Sequence, residues 1–312
     1  MKKSIVIFLF CFSIPMFLTA QHFSYEPSFI SNDMIWNPGS TAERDYLEYG
    51  VFYRQQWTGF RDAPRTIMAH AEYPFLYNNM SVGGYFYGDR SGIVDYFKAG
   101  FNYAYKMKLG RRRHDQIAVG VGATISQFKL ANSRIVSNGP EDPIIFNADF
   151  GGINPDLDLG FMYISDNRVK TERSYFYLGL SANSLINGTE LFRNNDQSMA
   201  INGNLHANAL VGISQVIPVG RFNGHAWYSF TTNHSYRVGG SLGIEFFEAF
   251  TIGVLGASDA SVGLKLGTNV YSPFMGDGFM KLAITGVSNM QVATLGRNPT
   301  FEVYLAYSFR TE

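Results

Sequence analysis

The sequence predicts a transmembrane antiparallel β-barrel of about fourteen strands, all-β, with a short N-terminal segment ahead of it, and three observations predict it. Charged residues are 16% of the chain, below the roughly 25% of ordinary soluble proteins, while aromatics reach 16% and there are 32 Gly. Beyond the first twenty residues, no apolar stretch is long enough to cross a bilayer as a helix. What recurs instead is strict alternation of side-chain type, the signature of strands with two unlike faces. Basic and acidic residues balance at 25 each. Neither a disordered chain nor a nucleic-acid binder has this composition.

Taken in order, Lys2 and Lys3 precede an apolar run from Ile5 to Leu18, and Thr19-Ala20 leads into polar Gln21. This is the pattern of a secretory signal peptide, residues 1–20, cleaved after Ala20. Removing it takes the basic count from 25 to 23 against 25 acidic, a net charge of −2. The one cysteine, Cys11, lies inside this segment and lacks the small residues that precede a lipidated cysteine. The exported chain is therefore expected to hold no disulfide and no thiolate metal site.

Residues 21–46 form an N-terminal segment that either enters the barrel or packs against it, and residues 47–312 form the barrel. Strands are expected near 47–57, 65–74, 79–88, 95–107, 116–130, 156–165, 173–183, 202–217, 222–232, 236–247, 250–258, 259–268, 278–287 and 300–310. Phe97, Ala99, Phe101, Tyr103, Tyr105 and Met107 alternate with Lys98, Gly100, Asn102, Ala104 and Lys106. The closing segment sets Phe301, Val303, Leu305, Tyr307 and Phe309 against Glu302, Tyr304, Ala306 and Ser308. An even strand count brings the chain back to its starting rim, and with the first strand running outward both termini are expected in the periplasm. The two longest connections, 131–155 and 184–201, then fall outside, and tight turns such as Pro218-Val219-Gly220-Arg221 fall inside, as outer-membrane barrels arrange them. Tyr46, Tyr85, Tyr87, Tyr163 and Tyr175 sit near segment ends and suit the aromatic girdles of such a barrel.

Candidate chemistry is sparse. His70-Ala71-Glu72 resembles the start of a zinc deaminase signature, but no Pro-Cys-x-x-Cys follows. The i, i+2 spacing puts both side chains on one strand face, and no metal site is expected. Asp156-Leu157-Asp158 lacks the Gly offset and closing Glu of a calcium loop and reads as two lumen-facing carboxylates. Gly120-Val121-Gly122 has Ile125 where a dinucleotide fingerprint needs its third Gly; these glycines suit an inward barrel face. Arg111-Arg112-Arg113-His114 is read as a solvated periplasmic turn, with a periplasmic partner as its other use. His225 and Ser229 share the polar side of one strand, but no third catalytic group can be assigned, so no enzyme and no cofactor are expected.

The stretch from Ile35 to Ala71 is unlike barrel filler. Asn37-Pro38-Gly39-Ser40-Thr41-Ala42 is a turn with a Pro-fixed φ and a permissive Gly. Tyr53-Arg54-Gln55-Gln56-Trp57-Thr58-Gly59-Phe60 crowds polar and aromatic residues at the outer end of the first strand. Two readings stand side by side. In one, Tyr53 and Trp57 anchor the interface and Arg54 is a lumen residue paired with a carboxylate such as Asp156 or Asp158. In the other, Asn37, Pro38, Gly39, Tyr53, Arg54, Gln55, Gln56, Trp57 and Phe60 serve N-terminal packing and partner docking.

These motifs also carry a family likeness. Asn37-Pro38-Gly39, the Tyr53 to Phe60 run, Ala63-Pro64, Gly83-Gly84, Asp89 and Gly92, Tyr103-Ala104-Tyr105-Lys106, Asn154 to Gly160 and Phe301 to Phe309 together resemble the PorP/SprF family. The likeness spans essentially the whole exported chain; Gly39 departs from the Ala that commonly follows Asn-Pro there. It implies a non-enzymatic outer-membrane component of the type IX secretion system of Bacteroidota. It further implies docking to PorK/PorN-like ring proteins or to a large secreted adhesin, with gliding motility as one setting. Beyond outer-membrane lipid no other partner is implied, and nucleic acid is not one. A passive diffusion porin or small-solute transporter is the alternative.

Overall fold

The computed structural model describes residues 33–43, 46–60, 62–75, 79–109, 115–130, 152–165, 174–186, 189–194, 197–202, 204–233, 235–271, 278–289 and 299–310. Sixteen strands run in chain order: β1 Tyr46–Gln55, β2 Arg65–Phe75, β3 Met80–Ser91, β4 Val94–Leu109, β5 Asp115–Leu130, β6 Asn154–Ile164, β7 Tyr175–Asn183, β8 Thr189–Asn194, β9 Gln197–Asn202, β10 His206–Ile217, β11 Gly220–Thr231, β12 Ser235–Phe246, β13 Phe250–Ala257, β14 Ser261–Tyr271, β15 Phe279–Asn289 and β16 Thr300–Arg310. Fourteen of them close an antiparallel barrel in sequence order, with β1 paired to β16 from Tyr46↔Arg310 to Gln55↔Phe301. The fourteen expected segments are those fourteen strands, and the turn that splits the segment at Ser258 divides β13 from β14.

Two strands were not foreseen. Within 184–201, β8 and β9 pair as a separate hairpin at the rim where the odd-numbered strands β1 to β7 end. Residues 131–151 and 110–114, which hold most of the other long connection and the Arg111–His114 run, lie outside the described residues.

Alternation sets which face is which. Along β5, Val119, Val121 and Ile125 are about half exposed on the lipid side, while Ala118, Gly120, Gly122 and Thr124 are buried in the lumen. The turn from β10 to β11 is tight because Gly220 has φ 144, and a Cβ there would lie 1.9 Å from the carbonyl oxygen of Glu245.

The girdle is not the set of tyrosines expected. Tyr85 is buried in the lumen against Met34, Tyr87 packs beside it, and Tyr175 packs on Ala118, Met162 and Ile164. Tyr85 and Tyr87 cover apolar residues of the N-terminal segment, and Tyr175 covers an apolar patch of the β5 and β6 wall. The outward aromatics near the rim where β1 begins are instead Tyr49, Tyr73, Phe75, Tyr103 and Tyr105. Tyr49 packs on Tyr307 with ring centroids 5.5 Å apart, and Tyr163 is outward, against Phe176.

Replacing lipid-facing Val121 with Arg is expected to cost about 2–4 kcal/mol near the bilayer midplane. Urea titration of the barrel refolded in lipid vesicles measures this, with Thr124→Arg on the lumen face as the comparison.

Candidate functional site

The lumen is organised around residues 33–43. Asn37 precedes Pro38, whose ring disfavours helical backbone at the residue before it, and Asn37 is extended at φ −134, ψ 98. Pro38 then starts a short 3-10 turn, Pro38–Ser40, at a position where its missing N–H costs nothing. The Asn37 side-chain oxygen caps that turn by accepting from the Gly39 N–H at 2.9 Å. Ser40 and Thr41 hydroxyls donate back to the carbonyls of Asn37 and Pro38, each at 2.7 Å. The turn is thus closed by its own side chains before it meets the wall.

The wall is cut to fit it. A Cβ on Gly120 of β5 would lie 2.3 Å from the Pro38 carbonyl, and one on Gly160 of β6 would lie 2.2 Å from the Asn37 side-chain oxygen. Backbone of the turn therefore rests directly on backbone of β5 and β6. Gly179 of β7 leaves room for the Asn37 amide, which donates to the Phe161 carbonyl at 3.0 Å.

Polar side chains hold the rest of the segment by its main chain. Asn102 of β4 donates to the Met34 carbonyl at 2.7 Å, and Ser81 of β3 donates to the Thr41 carbonyl at 2.6 Å. The Ala42 N–H donates to Glu72 of β2 at 2.5 Å, and the Lys106 ammonium of β4 donates to the Ala42 carbonyl. Buried away from water, each of these main-chain groups would be costly if left unmade. Met34 and Ile35 complete the seat by packing on Phe52, Met68, Tyr85, Tyr304 and Ala306.

The nine residues singled out from sequence divide into two places. Asn37, Pro38 and Gly39 are in the lumen seat just described. Tyr53 to Phe60 lie where β1 runs out to its rim, at the end of the strand remote from Tyr46. Tyr53 points outward and donates to Gln55 at 2.8 Å, and Phe60 is exposed. Trp57 turns the chain with φ 44, and Thr58 fastens that loop by donating its N–H to the Pro299 carbonyl at 3.1 Å. Gln56 is buried, its N–H on the Pro64 carbonyl at 2.9 Å and its amide oxygen beside the Arg54 guanidinium.

Arg54 is a lumen residue beside a carboxylate, but that carboxylate is Glu302 rather than Asp156 or Asp158. Its Nε lies 3.6 Å from Oε1 of Glu302, both side chains buried. Barrel closure is the cause, because Arg54 and Glu302 are direct partners across β1 and β16. Asp158 faces Lys98 at 3.6 Å, and Asp156 accepts from the Ile186 N–H at 2.9 Å. His225 meets Ser241 of β12 at 2.7 Å rather than Ser229, whose hydroxyl donates to Asn208 at 2.7 Å. Among the described residues no carboxylate hydrogen-bonds His225, so the orienting group of a hydrolytic triad is missing there.

A closed antiparallel barrel with an apolar outer wall and a polar, internally occupied lumen defines an outer-membrane β-barrel protein. Solved barrels share the fold: the CymD monoaromatic hydrocarbon channel (TM-score 0.55, 11% identity, 93% of this chain and 94% of that one) and a Pseudomonas aeruginosa FadL homologue (0.51, 10%, 93% and 95%). A TodX monoaromatic hydrocarbon channel deltaS2 mutant is similar too (0.51, 10%, 89% and 94%). The chain belongs to the type IX secretion system membrane protein PorP/SprF family, whose model matches residues 19–307. No curated protein matches it.

Replacing Gly160 with Val forces its side chain into the space of Asn37 and is expected to unseat the turn while the strands remain paired. In a background where Cys11 is changed to Ser, a cysteine at Ser40 should resist a water-soluble maleimide in the parent. It should react at least about tenfold faster with Gly160→Val, as expected when roughly 1.4 kcal/mol or more of seating free energy is lost. Heat-modifiable gel migration checks that the barrel is intact.

Proposed function

We propose that this barrel is a non-enzymatic docking component of the type IX secretion system, assisting secretion or surface attachment of adhesin-type cargo. Both termini face the periplasm in this reading, and the rim carrying the β8–β9 hairpin faces outward. The observation that carries the reading is the occupied lumen. An eleven-residue segment, 33–43, is fixed by side chains of β2, β3 and β4, by the main-chain carbonyl of Phe161 on β6, and by a glycine seat on β5, β6 and β7. Ordering that much backbone opposes the fold by about 1–2 kcal/mol per residue. An open diffusion pore would be narrowed by such a segment, although solute transporters can be plugged, whereas a docking platform gains a rigid interior. PorK/PorN-like ring proteins fit at the periplasmic rim, and the adhesin at the outer rim around Tyr53, Trp57 and Phe60. Family membership supports this assignment of machine and compartment.

A C-terminally tagged barrel extracted in mild detergent from its native outer membrane should bring ring proteins or a large adhesin with it. In planar bilayers the same preparation should remain silent. A barrel that comes out alone and conducts ions would favour the diffusion-porin alternative.

A further inference from the structure

Below the seated turn, near the rim where β1 begins, Glu48 of β1 and His70 and Glu72 of β2 face one another in the lumen. One ligand-capable atom from each lies within 4.8 Å of the others. The His70 ring is held rigidly. It lies over Gly50, where a Cβ would come within 2.6 Å of its Nε2, and stacks on Tyr304 at 5° between planes.

Its hydrogen bonds fix the tautomer. The Tyr304 hydroxyl spends its one proton on Glu48 Oε1 at 2.8 Å, so toward His70 Nε2, 3.2 Å away, it can only accept. Nε2 therefore carries the proton and Nδ1 the lone pair. Nδ1 lies 3.7 Å from Glu72 Oε1, the His70 side chain is fully buried, and Nδ1 has no hydrogen-bond partner. Two ligand-capable atoms thus face each other across a gap too wide for a hydrogen bond. Ligands bound at about 2.0–2.2 Å to one zinc ion stand about this far apart.

We propose that Glu48, His70 and Glu72 form a divalent metal site of the zinc class in the lumen of this barrel. His70 Nδ1 and Glu72 Oε1 are the first two ligands, and a Glu48 oxygen is the third. An imidazole with two carboxylates suits zinc and its first-row neighbours. The His70 Nε2–H to Tyr304 to Glu48 chain supplies the outer hydrogen bonding that orients a metal-bound histidine. The resident competitor is the Lys281 ammonium, which donates to Glu48 Oε2. Lys281 also lies over the Phe279 ring at 5.3 Å, so it has a second resting place when a dication displaces it. Ser308 holds Glu48 from the other side at 2.6 Å, and Lys106 stands beside Glu72 through the Ala42 carbonyl. Because Glu72 also holds the Ala42 N–H, an ion here braces the point where the seated segment leaves for β1. The pairing of His70 with Glu72 is visible in sequence, but the third ligand comes from β1 and only strand pairing brings it in.

The site is tested with the full barrel carrying no histidine tag, stripped with chelator and titrated with zinc chloride by calorimetry. One equivalent is expected to bind. His70→Ala and Glu72→Gln should each lose that equivalent or weaken it by more than about tenfold, and Lys281→Met should tighten it. Heat-modifiable migration confirms that each variant is folded. A wild-type barrel that takes up no zinc overturns the site, as does binding left unchanged by both ligand substitutions, which would mark zinc held elsewhere on the protein.

Discussion

The constraint on which the rest depends is the contact of backbone with backbone at Gly120 and Gly160. A closed sheet ordinarily meets its contents through side chains, which hold the inner wall several ångströms from whatever fills it. Here the absent Cβ atoms let the Asn37–Gly39 main chain lie on the β5 and β6 main chains. That closeness brings the segment's remaining carbonyls and N–H groups within reach of short side chains such as Ser81 and Asn102. Long flexible side chains would lose more rotamer freedom for the same bonds.

From that seat follows the unusual character of the lumen. On the side of β16 and β1 to β3 it is an apolar core, with Phe52, Met68, Tyr85 and Tyr304 closing over Met34 and Ile35. On the side of β7, β10 and β11 it is a polar ladder, in which Asn208 donates to Asn183 at 2.9 Å and accepts from Ser229 at 2.7 Å. One half packs as the interior of a soluble domain does, and the other satisfies its polar groups across strands. The charged pairs, Arg54 with Glu302 and Lys98 with Asp158, sit inside this frame rather than forming a ring.

The barrel's fourteen strands and their closure were legible in the sequence because period-two alternation marks each segment, and the apolar face had to be the lipid face; the β8–β9 hairpin was not. The inward tyrosines were not legible. Tyr85 and Tyr87 occupy the lumen phase of β3, yet an apolar ring there contradicts the expectation of a wet interior until the seated segment is known. A carboxylate partner for Arg54 was legible, but its identity was not, for a topological reason: Glu302 is far away in sequence and adjacent only once β16 pairs with β1. The Asn37-Pro38-Gly39 turn and the lumen glycines at 120 and 122 were each visible alone, but nothing local joins them. Their complementarity belongs to the tertiary structure.

The central claim, that residues 33–43 are seated against the strands in the membrane-embedded barrel, is tested most directly by cross-linking. Thr41→Cys and Ser81→Cys place thiols on two residues in contact, where the Ser81 hydroxyl donates to the Thr41 main-chain carbonyl at 2.6 Å. Mild oxidation of intact outer membranes should join them in most of the protein, with the barrel still heat-modifiable. Failure to cross-link, with both cysteines freely labelled by a water-soluble maleimide, would contradict the account.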